Sequence, residues 1–447
     1  AAPPEDTQSP PPTDFKLDEL TAGLHETATR YVEEAGTSAA SMSVNNDPAP
    51  AFGKQYLTPF NTVLTPVGPD FHVNHFYSQL QAFSADNKYV LLAEDLPGTP
   101  SALTVVRSLP DFSLVLSAPV GEWGNPRWHP TDYGKLVHFN PTGEGELRLE
   151  TTDVASGETT TLYTFPAEYQ MYLKNQSFDE LSRDGKWIAG QAVGVGNWSR
   201  IFAFNLETQT LGAQIDPEAL YAGPCTPDPQ WGPVDPDWIG VSPLGNYLVV
   251  QWAAGGTGRC EGLETYDIKT GAYIGHVTSD HPHADLTVLA DGKTEVFVTN
   301  ELTGPTVGDT FVNGEAAKPI DVMYPALSYR VLPGPAEGQA KVHHLYLIDW
   351  GGFEHISCRG PYGVCVVTGY PSPENGATDP LEDEIYMIRL DGSGVVRLAH
   401  HHSTGGDYWT QPRATMSVDG RYVLFDSDWG FNDFSSLAYL IDLAIDP

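Results

Sequence analysis

Hydrophobic positions recur along the chain in short alternating runs, the period-two signature of strands, and most runs are bounded by a Gly- or Asn-centred turn. One phrase repeats seven times: a polar residue, a few apolar ones, the turn, then an apolar strand. Copies begin at Ala82, Arg127, Asp179, Asp237, His283, His355 and Ala414, with turn residues Asn87, Gly134, Gly185, Gly245, Gly292, Gly363 and Gly420. These turns lie roughly 47 to 71 positions apart, a spacing of propeller blades rather than solenoid repeats. A second hairpin follows most copies, as in the runs from Arg200, Gly262 and Asp383. Four strands per unit, repeated radially, leave only short, protected sheet edges. The pattern predicts an all-β chain, a seven-bladed β-propeller over residues 51–447, with the Pro- and Gly-rich residues 303–338 as a long insertion.

Ahead of the repeats the pattern changes. Residues 1–15 are Pro-rich and acidic and read as a disordered tether. Leu17, Leu20, Leu24, Ala28 and Tyr31 recur at helical spacing behind Asp14, predicting one short helix, with linker, in residues 16–50.

Composition sharpens the picture through charge. With 58 acidic against 23 basic side chains the formal net charge is -35, which opposes binding to nucleic acid or to an anionic membrane. An anionic ligand would need an island of Arg, His or metal within that negative surface. No run of eighteen apolar residues is present to span a bilayer. The expectation is a monomeric protein that is secreted, periplasmic or held at the cell surface.

Four cysteines bear on the compartment. Cys358 and Cys365 flank the turn of one hairpin, where facing strands bring two thiols together, and Cys225 with Cys260 makes the second pair. Two disulfides indicate an oxidising environment. A rival role for Cys358 is that of a zinc thiolate beside His355.

In a propeller, residues just before each phrase and just after its strand converge on one rim, opposite the repeated turns. Here the entrances carry His72 and His75, Arg127 and His129, Asn175 and Gln176, Asp237, His283 and Asp285, Glu354 and His355, and Gln411 and Arg413. The exits add Glu94, Glu301, Tyr370, Asp426, Asp428 and Trp429. Such a rim also arises in a water-filled channel whose polar groups satisfy one another. The gathering of histidines, including His400, His401 and His402, points to the handling of protons or a metal. His283, His355 and Gln411 sit at comparable depth on neighbouring repeats and form a mixed N and O ligand set for a divalent ion such as Mn, Ca or Zn.

The segment from His400 to Gly430, with the HISCRG run from His355, resembles the propeller polysaccharide lyases of the oligogalacturonate-lyase and ulvan-lyase type. The blade phrase itself is shared with many TolB-like propellers. The resemblance implies an extracytoplasmic enzyme that cleaves uronic-acid polysaccharides by β-elimination, often with a divalent ion in the central funnel. It also departs from the pattern, because Arg413 stands where those lyases look to carry a histidine.

Elimination removes the proton α to a uronate carboxylate, which first requires the carboxylate to be neutralised. Arg127, Arg413 and Arg359 are candidates for that task, and His75 and His129 for the base. Tyr77 or Tyr408 is placed to protonate the leaving oxygen, and Trp409 and Trp429 to stack on sugar rings. The competing classes are a noncatalytic glycan- or partner-binding propeller and a glycoside hydrolase using Asp237, Asp285 or Glu354.

Overall fold

The structure is a computed structural model. It describes residues 49–68, 72–94, 102–119, 121–140, 146–172, 181–230, 232–280, 282–318, 324–348, 350–371, 381–405, 410–431 and 435–444, with the backbone of residues 26 and 27. The seven predicted blades are present as antiparallel sheets. Blade one holds Val73–Asn74, Tyr89–Glu94, Leu103–Ser108 and Leu114–Pro119, from the channel outward. Blade two holds Gly124–Trp128, Lys135–Phe139, Arg148–Asp153 and Thr159–Thr164. Blade three begins at Met171–Tyr172 and Trp187–Val193, blade four at Pro236–Val241 and Tyr247–Trp252, blade five at Ala284–Val288 and Glu295–Glu301. Blade six begins at His355–Ser357 and Val364–Thr368.

Blade seven closes the ring. It takes Thr415–Met416, Tyr422–Ser427 and Leu437–Asp442 from the end of the chain, and its outer strand, Val63–Pro66, from the beginning. Leu64 pairs with Ile441 and Pro66 with Tyr439, antiparallel.

All seven turn residues named from the sequence have φ between 56° and 81°, the left-handed conformation that explains their identity as Gly or Asn. A serine fixes several of these turns. Ser84, Ser182, Ser242 and Ser417 each accept, through Oγ, the backbone N–H five residues on, at 2.9 to 3.0 Å. Three of them also donate to an aspartate two residues on, Asp86, Asp184 and Asp419. The turn is thus self-contained, and the apolar strand after it packs between blades, as Val90, Leu92, Val423 and Phe425 do.

Two expectations need adjustment. The predicted insertion contains a strand of its own, Ala326–Val331, the third of blade five, because its Gly and Pro residues punctuate the strand rather than replace it. The N-terminal helix and tether lie outside the described residues, apart from Glu26–Thr27, which pair as a strand with Val395 and Val396 at the edge of blade six.

Both disulfides form as expected, Cys225–Cys260 and Cys358–Cys365, which excludes Cys358 as a zinc thiolate. No helix among the described residues is long and apolar enough to cross a membrane.

Side chains brace the central channel near its turn side. Arg183 donates to the carbonyls of Cys358 (2.9 Å) and Gly360 (3.0 Å), and Gln81 to those of Arg359 and Met416. Gln79 donates to the Ala284 carbonyl. Inner-strand carbonyls that face the channel thereby gain donors from across it.

Candidate functional site

The opposite mouth of the channel, where inner strands begin, gathers seven of the residues named from the sequence. The His75 backbone N–H donates to Asp426 Oδ1 at 3.2 Å, and its ring Nε2 lies 3.8 Å from Asp426 Oδ2. Arg413 Nη2 is 3.8 Å from the same oxygen. The Arg413 guanidinium stands 5.9 Å from the centre of the Tyr77 ring. Tyr77 meets His355 edge to face at 5.4 Å, and His355 stacks on His283 at 4.3 Å. His355 Nε2 is 3.2 Å from Gln411 Oε1. A continuous run of contacts therefore links blades one, five, six and seven.

Depth sorts these groups into two layers. His283 is exposed, and Tyr77 and Gln411 are half-buried, so these three meet solvent at the mouth. Beneath them His75 is 2% exposed, His355 1% and Arg413 0%. Asp426, also at 0%, completes this buried layer.

Burial sets the charge states. It pushes His75 down to about 3, helped by the positive field of Arg413, so the ring is neutral at ordinary pH. His355 is held well below the usual range by burial, then by His283 and Arg413. Burial raises Asp426 to about 7 and Glu354 to about 8, against the pull of Arg413 in both cases. The buried layer thus carries a permanent guanidinium charge among groups that resist ionising, which is the cationic island a negative surface requires.

Hydrogen bonding bears on the donor set for a divalent ion. His283 Nδ1 lies 2.5 Å from the Glu354 carbonyl oxygen, a contact that requires N–H there and leaves Nε2 as the lone-pair atom facing the mouth. By the same logic His355 Nε2 donates to Gln411 Oε1 at 3.2 Å, which leaves the lone pair on Nδ1. The three residues supply neutral N and O donors for an ion only where the His355–Gln411 hydrogen bond is given up. No group of three or more His, Cys, Asp or Glu able to hold an ion occurs among the described residues.

Other predicted residues fall elsewhere. His129 sits at the turn end of its strand: its Nδ1 accepts N–H groups of Thr131 (3.3 Å) and Asp132 (2.9 Å), and its ring packs against the blade-three turn at Gly185. The Arg-Trp-His run places His129 past the strand, Gly124–Trp128, rather than at its entrance. Arg127 is buried in that strand, with Nη1 donating to the Pro126 carbonyl at 3.0 Å. Trp128 reaches blade one through the Ala82 carbonyl, so alternation turns Arg127 to the other face of blade two.

Arg359 is engaged by Asp285, which receives Arg359 Nε at 3.0 Å and also the Cys358 N–H at 2.6 Å. That pairing removes Arg359 from substrate binding and Asp285 from acid catalysis. Arg359 also lines a half-open pocket with Phe83, Trp128, Leu181, Arg183 and Val418, which contains none of the mouth residues. Trp429 packs between blades, stacked on His402 at 4.1 Å and beside Tyr439 at 4.9 Å, not on an open surface. His401 is buried 3.9 Å from Asp383, and His400 lies against Phe60. Tyr408 and Trp409 lie outside the described residues. Sequence reading placed Asp426 and Glu354 on the rim without giving either a part in the lyase site; their register at a strand end and a strand start was the available signal.

The fold and the mouth together define a seven-bladed propeller with a histidine- and arginine-lined funnel, a fold shared with solved oligogalacturonate lyases. The chain is similar to a solved oligogalacturonate lyase in complex with manganese, with a TM-score of 0.56 and 14% identity over 88% of this chain and 96% of that one. It is equally similar to the oligogalacturonate lyase of Vibrio parahaemolyticus, with a TM-score of 0.55 and 14% identity over 87% and 96%. At that identity the likeness is one of fold. No protein-family model matches the chain. No curated protein matches its sequence.

Proposed function

We propose that the funnel mouth is the active centre of a lyase that cleaves a uronic-acid polysaccharide by β-elimination. The observation that carries this reading is the buried Arg413 charge beneath a solvent-facing layer of Tyr77, His283 and Gln411. An anionic sugar has little reason to approach a chain of net charge -35 unless such a charge awaits it.

Arg413, enclosed beneath the mouth, would act through its positive field, favouring the uronate carboxylate above it and the enolate that follows. Asp426, 3.8 Å from both Arg413 and His75, holds that guanidinium in place. His75 was a candidate base, but at 2% exposure it is enclosed by protein and serves the buried layer instead. A divalent ion held by His283, His355 and Gln411 would add Lewis-acid neutralisation of the same carboxylate. Tyr77 then remains as the proton-transfer group at the mouth. As the phenolate it takes the proton from C5 of the uronate, the electron pair forms the C4–C5 double bond, the C4–O bond breaks, and the leaving oxygen takes the proton from the Tyr77 phenol, restoring the phenolate.

The test is ultraviolet absorbance of the unsaturated uronate during incubation with polygalacturonate, ulvan and glucuronan, alongside elemental analysis for Mn, Ca and Zn. Tyr77→Phe and Arg413→Ala are expected to lower turnover by at least ~100-fold while the protein stays folded. Absence of unsaturated product from every acidic glycan would sink the reading. Metal bound equally by wild type and His355→Ala would remove the proposed ion site.

A further inference from the structure

Exposed aromatic side chains are unevenly placed on this molecule. Among the described residues they are Phe52, Trp350, Tyr362, Tyr370 and Phe431. Trp350 (60% exposed), Tyr370 (56%) and Phe431 (59%) all lie on the face of the funnel mouth. Tyr370 and Phe431 follow the second strands of blades six and seven, Val364–Thr368 and Tyr422–Ser427, and Leu302 follows that of blade five, Glu295–Glu301. Leu302 is exposed as well. Trp350 comes from the connection between blades five and six. Its loop is tied to that of Tyr370, whose N–H donates to the Gly351 carbonyl at 2.7 Å. The same pair of loops continues into the Glu354 N–H bond to Thr368 and so into His355.

We infer that Leu302, Trp350, Tyr370 and Phe431 form a sugar-stacking arc that holds the flanking residues of a uronate-containing polysaccharide across blades five to seven. The inference rests on the reading of the mouth as a uronate site and names the substrate as a polymer. These are the blades whose inner strands and entrances supply His283, His355, Gln411 and Arg413, so a chain lying on the arc passes over the site. Charge explains the choice of chemistry. A protein of net charge -35 cannot grip a polyanion along its length with surface cations. Stacking on the apolar faces of sugar rings gains contact area without opposing the sugar's own charge, at low cost in side-chain entropy. Trp429, which the sequence offered for this role, is packed inside, and the neighbouring Phe431 takes the open position.

Wild type, Trp350→Ala, Tyr370→Ala and Tyr362→Ala, the last on the turn face, are titrated calorimetrically with polygalacturonate and ulvan. KM and kcat are measured on each polymer and on trigalacturonate. Both arc variants are expected to weaken polymer binding and raise polymer KM by about tenfold, corresponding to ~1.4 kcal/mol each, and to raise KM for the trisaccharide less. Tyr362→Ala leaves all values unchanged. Unaltered polymer binding and KM in both arc variants overturns the arc. Wild type that binds a polymer without forming unsaturated product refutes the lyase, while weaker binding by the arc variants upholds the arc. Wild type that cleaves trigalacturonate but binds neither polymer refutes the arc and leaves the lyase standing; neither activity nor binding refutes both.

Discussion

Glu354 shows how one residue ties the site to the stability of the protein. Burial keeps its proton in place up to about 8, whereas an unfolded chain releases it near 4.5. A raised carboxylate stabilises the fold fully below the unfolded value and loses that contribution as pH climbs through the folded one. Asp426, raised to about 7, acts in the same direction. His75, lowered to about 3 from 6.5, acts oppositely and only below neutrality. Glu384, raised to about 7 by burial, acts as Asp426 does, so between about pH 6.5 and 8.5 these carboxyls govern and thermal stability is expected to fall. Glu354→Gln should flatten that decline, measured as Tm across the window; an equally steep decline in the variant would place the titrating group elsewhere.

At the scale of the element, the serine-capped turn carries the repeat. Ser242 is fully buried and accepts two backbone N–H groups, from Asn246 at 3.1 Å and Tyr247 at 3.0 Å. Ser242→Ala strands both donors and should cost about 1 to 3 kcal/mol, read by chemical denaturation with turnover per folded molecule unchanged. His129→Ala is expected to behave likewise, lowering Tm without lowering kcat, because the ring caps a turn beside Gly185. The turns were legible in the sequence since φ above zero selects Gly or Asn. The fate of individual rim residues was less so. The inner strand starts at Gly124, five positions before His129, so His129 falls past its far end rather than at its entrance, and nothing local marks where the strand stops. Arg359 was misassigned for another reason: its partner Asp285 is 74 positions away, and pairing at that separation has no sequence signature.

For the whole molecule, closure of the ring made the site readable at all. Repeat spacing gave seven blades, and blade order then placed His283, His355, Gln411 and Arg413 at one mouth with His75 and Tyr77 opposite the seam. The strand that completes blade seven escaped notice, because Val63–Pro66 precedes the repeats and resembles no part of them. The disulfides staple individual loops within this ring, and their effects should differ. Cys225–Cys260 spans 35 positions and Cys358–Cys365 only 7, so the first constrains the unfolded chain more. Cys225→Ser with Cys260→Ser is expected to lower Tm further than Cys358→Ser with Cys365→Ser. Equal losses would show that local packing, not chain entropy, sets their contribution.

The pairing of Leu64 with Ile441 has a consequence for biogenesis. Val63–Pro66 cannot meet its partner strand, Leu437–Asp442, until the intervening blades have been synthesised, so it waits unpaired in the meantime. Contacts between such distant positions slow folding and prolong the exposure of strand edges.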